Sequence, residues 1–197
     1  RDLRLACRCG KITGRLAGAS PGTGQRVVCH CKDCRAFAVH VGAADTLDAN
    51  GGTEIFQTLP ARVTITSGKE HLRAIRLSPK GLLRWYAGCC GTPFGNMLVR
   101  PGFHFVGLPL AVFPDPDARA VMGPVRASVN ASHAPAGTSP PRDYGYARAG
   151  LNVLRRHLAA KVGLAPRGSP YFQGDRPIST PEVLSLDARR AAENAPI

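Results

Sequence analysis

Three tight clusters of cysteine constrain this chain more than any other feature of it. The seven cysteines stand at Cys7, Cys9, Cys29, Cys31, Cys34, Cys89 and Cys90, and none falls in the last 107 residues. They read as C-x-C, C-x-C-x-x-C and C-C. An odd number in close groups suits a disulfide framework poorly. It suits metal or redox chemistry better, because the opening "RDLRLACRCG" lacks the apolar core of a secretory leader. The expectation is a cytoplasmic zinc protein.

The spacing carries the reading further. On an extended strand residues i and i+2 share a face, so Cys7 with Cys9, and Cys29 with Cys31, are expected to present paired thiolates. Sulfurs around a tetrahedral zinc, with Zn–S near ~2.3 Å, lie a little under ~4 Å apart. The step from Cys31 to Cys34 has the spacing of a zinc knuckle, in which a tight turn brings the second thiol round to the same ion. Three ligands and an open position describe a catalytic zinc, and four thiolates describe a structural one. Cys7 and Cys9 are therefore expected to share a structural zinc with Cys89 and Cys90, while Cys29, Cys31 and Cys34 hold a second, weaker one. Neighbours on a regular strand point to opposite faces, so recruiting both Cys89 and Cys90 calls for a turn at Gly88 or Gly91. His30, between two ligand positions, would on a strand point away from their metal, so the expectation is a surface imidazole or one supporting the site from outside, against the alternative of a fourth ligand. His40, His71, His104, His133 and His157 have no spacing that recruits them.

Taken together, "CRCG" at 7–10, "CHCKDC" at 29–34 and "CCGTP" at 89–93 resemble the glutathione-dependent formaldehyde-activating enzyme family, which also includes centromere protein V. The resemblance covers roughly residues 4 to 115. It implies a small all-β zinc fold with a structural four-cysteine site and a second, three-cysteine site. The implied activity is that of a carbon–sulfur lyase, adding formaldehyde to the thiol of glutathione. By position Cys7, Cys9 and Cys90 match structural ligands, and Cys29, Cys31 and Cys34 match the open catalytic site. One departure stands out. The family pattern C-x-x-C-G requires a cysteine where this chain has Ala87, and Cys89 is the only substitute.

The remaining sequence fits a mainly β domain over 1–115 with an extension over 116–197 packed on it. "RVTITSG" (62–68) alternates, placing Val63 and Ile65 on one face. "RLACRCGKITGRL", "RVVCHC", "LLRWYAG" and the end of "NGGTEIFQTLP" also read as strands. Residues 130–143 read as a proline-rich loop. An amphipathic helix is expected at about 146–162, with Leu151, Leu154, Leu158 and Val162 packed on the core and Arg148, Arg155 and Arg156 in solvent. The tail after it reads as irregular, anchored by Tyr171 and Phe172.

Twenty-six Lys and Arg against thirteen Asp and Glu give a formal charge of +13, which attracts anions in general. No basic block is longer than two residues, and aromatics are only 6%, which argues against a nucleic-acid surface. No apolar run is long enough to span a bilayer. Two functions follow. The first is a zinc-dependent carbon–sulfur lyase acting on a glutathione-like thiol and an aldehyde or thiohemiacetal. The alternative is a zinc-stabilised module that binds an acidic protein or nucleic acid without chemistry.

Overall fold

In a computed structural model, which describes residues 1–100 and 102–195, thirteen strands and four α-helices make the protein mainly β. An antiparallel sheet is formed by β1 (Leu3–Ala6), β2 (Thr13–Leu16) and β5 (Val63–Ser67) in the order β1-β2-β5. The larger, eight-stranded sheet draws on β3 (Gln25–Cys29), β4 (Thr53–Thr58), β6 (Leu72–Arg76), β7 (Leu83–Ala87), β8 (Pro93–Met97) and β9 (Val106–Pro109). Its edges are β10 (Val125–Val129) and β13 (Glu182–Val183), giving the order β10-β3-β4-β9-β8-β7-β6-β13. Both edges come from beyond residue 115, and each pairs parallel with its neighbour. A two-residue pair, β11 (Phe172–Gln173) and β12 (Arg176–Pro177), stands apart.

Alternation divides the large sheet into two faces. One face carries Phe56, Leu108, Trp85 and Phe94, which form the main core with Leu3, Leu5 and Leu16 of the small sheet. Tyr171 inserts there fully buried, its ring 5.3 Å from that of Trp85 and its hydroxyl donating to the Phe94 carbonyl at 3.2 Å. The Tyr-Phe pair thus anchors the tail.

The register places Gln25, Gln57, Gly107, Asn96, Arg84 and Ile75 in line across the opposite face. Two helices cover it. α1 (Lys32–His40) packs Ala36 and Phe37 on Ile75 and Leu77, and α3 (Tyr146–Lys161) packs Ala149 on Val27, Ala127 and Val129. α4 (Leu186–Asn194), capped by the Ser185 hydroxyl accepting from the Ala188 N–H, lies against α1. A five-residue helix, α2 (Ala118–Met122), precedes β10.

Several expectations need correction. The domain is mainly β but not all-β, and the tail that reads as irregular contains α4. The expected long strand over "RLACRCGKITGRL" breaks into β1 and β2, with Cys7–Gly10 in the turn between them. α3 lies where the periodicity puts it, and Arg148 and Arg155 are exposed as expected, but the leucine face is not the one packed on the core. Leu151, Leu154, Leu158 and Val162 are 45–68% exposed, while Ala149 and Ala160 are buried. The physical reason is fit: small alanines let the helix approach β3 and β10 closely. The polar groups trapped there satisfy one another, Asn152 donating to the Gln25 side chain at 3.0 Å and Gln25 to the Ala149 carbonyl at 2.9 Å.

Candidate metal centres

The first centre is built by two turns. After β1 the chain reverses so that Gly10 N–H donates to the Cys7 carbonyl, and the Ile12 N–H donates to the Cys7 sulfur at 3.2 Å. After β7 the chain reverses again, with the N–H groups of Cys90 and Gly91 both donating to the Ala87 carbonyl. Gly91 takes φ +74°, a left-handed conformation that swings both Cys89 and Cys90 to the same side. This is the turn that adjacent cysteines require. The Cys7, Cys9, Cys89 and Cys90 sulfurs all lie within 4.8 Å of one another. Cys7 to Cys9 is 3.5 Å, Cys7 to Cys89 is 3.9 Å, Cys9 to Cys89 is 3.3 Å and Cys89 to Cys90 is 4.0 Å. Those separations bracket the ~3.8 Å edge of a thiolate tetrahedron around an ion with 2.3 Å bonds. The donor set fits a metal.

Electrostatics differ within this group. Burial pushes the Cys89 thiol up to about 12 and also raises Cys7. Burial raises Cys90 as well, but hydrogen bonds from the Thr92 hydroxyl and the Cys9 N–H outweigh it and leave that thiol at about 6. Arg8 braces the turn by donating to the Cys90 carbonyl at 2.8 Å and to the Gly42 carbonyl at 3.1 Å.

The second centre sits at the junction of β3 and α1. Cys29 ends the strand, Cys31 is the N-cap of the helix and Cys34 lies in its first turn. The expected side-by-side pair on a strand is therefore not what joins them. Strand geometry stops at Cys29, and the Cys31 sulfur caps the helix by accepting from the Cys34 N–H at 3.3 Å. The three sulfurs lie within 4.8 Å of one another, and no His, Asp or Glu among the described residues joins them.

Residues that sequence reading did not select surround these thiols. Arg84, only 3% exposed, directs Nη1 to the Cys34 sulfur at 3.8 Å and to Asn96 Oδ1 at 3.2 Å, and its guanidinium lies 5.5 Å from the Phe37 ring centre. Hydrogen bonds from Cys29 and Cys31, followed by Arg84, hold the Cys34 thiol well below the ordinary cysteine range, whereas the bonds to Cys31 and Cys34 push Cys29 up. Asn130, held in the left-handed region at φ 61°, donates Nδ2 to the Cys29 sulfur at 3.4 Å. Asp33, in the first turn of α1, pairs with Arg189 of α4 at 3.0 Å. None of these partners has a signal local to the cysteines, since Arg84 and Asn130 lie 50 and 101 positions from the thiols they touch.

His30 is fully buried beside Gly52, outside the cysteine group, and neither ring nitrogen has a partner among the described residues. The other five histidines join neither group, and His104 and His157 lie together instead, with ring centres 5.6 Å apart. A cavity of about 320 Å³ is lined by Val27, Gln57, Phe103, Phe105, Val129 and Ala149 among others, and by none of the three cysteines. Val27, Val129 and Ala149 belong to the cluster against which Cys29 packs.

The fold and its two thiol clusters define a mainly β protein equipped to hold metal ions through cysteine. The chain belongs to the family described as "Family of unknown function (DUF6151)", whose model matches residues 1–182. No curated protein matches it. Among solved structures, a crystal structure of a Rhodobacter sphaeroides protein from a structural genomics effort is similar at 16% identity and a TM-score of 0.42, covering 62% of this chain and 97% of that one.

Proposed function

We propose that this is a zinc protein whose four-cysteine centre is structural and whose three-cysteine centre handles a thiol, adding it to an aldehyde or releasing it from a thiohemiacetal. The observation that carries the proposal is the incomplete ligand set of Cys29, Cys31 and Cys34, which no other metal-binding side chain among the described residues completes. Three protein ligands suit a centre that takes its fourth from a substrate. When bound there, zinc would supply the Lewis acidity that keeps a thiol ionised near neutral pH.

The chain's own residues would do the rest. Arg84 offsets the negative charge that three thiolates concentrate under α1, and Asn130 fixes the direction of Cys29. In the reaction a carbon–sulfur bond forms, the carbonyl π bond breaks, and the thiol proton ends on the new hydroxyl.

Two measurements test this. Reduced protein should contain two zinc ions per chain, falling to one in Cys9→Ser and to one in the Cys29→Ser/Cys34→Ser variant. Exchange NMR of glutathione with formaldehyde should show acceleration by the wild type that only the second variant loses. If fully metallated wild type leaves the solution rate unchanged, the lyase reading is refuted. Binding of an acidic protein or nucleic acid at near-physiological salt would then support the non-catalytic module.

A further inference from the structure

At the opposite end of β3 from Cys29, a cavity of about 710 Å³ lies between α3 and the Pro21–Gln25 turn. Four residues of strand, about 13 Å, separate its Gln25 wall from Cys29. Arg126 of β10 and Arg148, Arg155 and Arg156 of α3 line it, and no acidic residue does. None of the four makes an ion pair among the described residues. Glu54, on the neighbouring strand β4, is on the other face and is paired there with Arg26 and Arg119.

Arg156 makes the strongest case. Its Nη2 is shut off from solvent and has no hydrogen-bond partner among the described residues. A buried guanidinium N–H left unpaired is costly, more so beside other cations. Burial, followed by the charge of Arg155, holds the Arg156 guanidinium below its ordinary value. An anion in the cavity, against the part of the guanidinium that lines it, would offset the crowding of like charge. The remaining walls sort the possible anions. Leu158, Ala159 and Val162 give an apolar side, while Gln25 and Asn152 give a polar floor. The volume is that of a small-molecule site. The charges converge on one concavity instead of tracking along a surface, as a polymer would require.

We propose that this cavity binds a small soluble organic phosphate, its phosphate on Arg155 and Arg156 and its carbon skeleton against Leu158 and Val162. The site is independent of the metal centres and of the chemistry proposed for them.

The test is isothermal titration with ribose 5-phosphate at near-physiological salt. Saturable binding at one site per chain is expected. Arg155→Gln and Arg156→Gln should each weaken it by about tenfold or more, as expected for loss of a charge-assisted hydrogen bond. Arg4→Gln, which removes an exposed charge on β1, should leave it unchanged. Arg155 is exposed, so its variant reports on binding even if Arg156→Gln unfolds, which a thermal melt would reveal. Absence of saturable binding would overturn the proposal, and so would an equal loss in Arg4→Gln. Arg155-dependent binding of phosphatidylserine vesicles or of single-stranded RNA, without binding of the sugar phosphate, would overturn it in favour of a lipid or a polymer.

Discussion

Replacing Arg84 with methionine tests the electrostatic account of the three-cysteine centre most directly. Methionine retains an apolar stem of similar length, so the packing beneath α1 changes little. Three interactions disappear: the contact with the Cys34 sulfur at 3.8 Å, the hydrogen bond to Asn96 Oδ1 at 3.2 Å, and the stacking over Phe37. The Asn96 oxygen then loses its partner in a side chain only 4% exposed. An orphaned buried acceptor alone costs about 1–3 kcal/mol. Stripping one partner from a buried charge pair costs about 3–5 kcal/mol, and we expect Arg84→Met to lie in that range. Arg84→Lys keeps the charge but not the planar fork, and should recover about half of the loss. Urea denaturation measures the first quantity. Competition with a chromophoric chelator for cobalt measures the second, because part of the same free energy must appear as weaker metal binding at Cys34, by one to two decades at about 1.4 kcal/mol per decade. If Arg84→Met unfolds within about 0.5 kcal/mol of wild type and binds cobalt equally well, the guanidinium is not the counter-charge of the cluster.

Other expectations are more local. Gly91→Ala places a methyl group against the Val41 carbonyl oxygen at a left-handed position, so it should destabilise by about 2–4 kcal/mol in denaturant and lower the metal content of the four-cysteine centre first. Asn130→Gly keeps the positive φ and loses only the bond to Cys29, whereas Asn130→Ala loses both; denaturation should rank them with the alanine variant lower by about 1 kcal/mol. Burial raises the pKa of Tyr171, so the folded state prefers the neutral phenol. That contribution is complete below the ordinary tyrosine value of about 10 and is lost as pH rises through the folded one. Absorbance at 295 nm should therefore show one of the four tyrosines silent until alkaline unfolding, and Tyr171→Phe should remove that tyrosine at a cost of about 1 kcal/mol.

Cysteine spacing made both thiol clusters legible because metal ligands are chosen by chemistry and leave a type-specific trace. The strand at 63–67 was legible for a similar reason, since alternation records which face is buried. α1 was not. Its nine residues are too few to display a period, and its start is fixed by a cysteine acting as both cap and candidate ligand. Arg84, Asn130 and Arg189 were hidden because a side chain that crosses 50 to 156 positions to reach its partner leaves no local pattern. The outward-facing leucines of α3 show the limit of amphipathic reasoning. Periodicity identifies two sides of a helix, but closeness of approach decides which one turns inward, and here alanine prevailed over leucine. No helix among the described residues is long and apolar enough to cross a membrane, so that exposed leucine face is not part of a membrane span.

The placement of α1 has one more consequence. Its first turn carries Cys31 and Cys34, while Val41 and Gly42, just past its last turn, meet the Gly91 and Arg8 backbone and side chain of the other thiol group. About ten residues of rise, on the order of 15 Å, hold the two groups apart. Catalysis by paired ions requires them within about 4 Å of each other, bridged by one oxygen. A nine-residue spacer forbids that arrangement here, so an ion held at either group would act as a solitary centre.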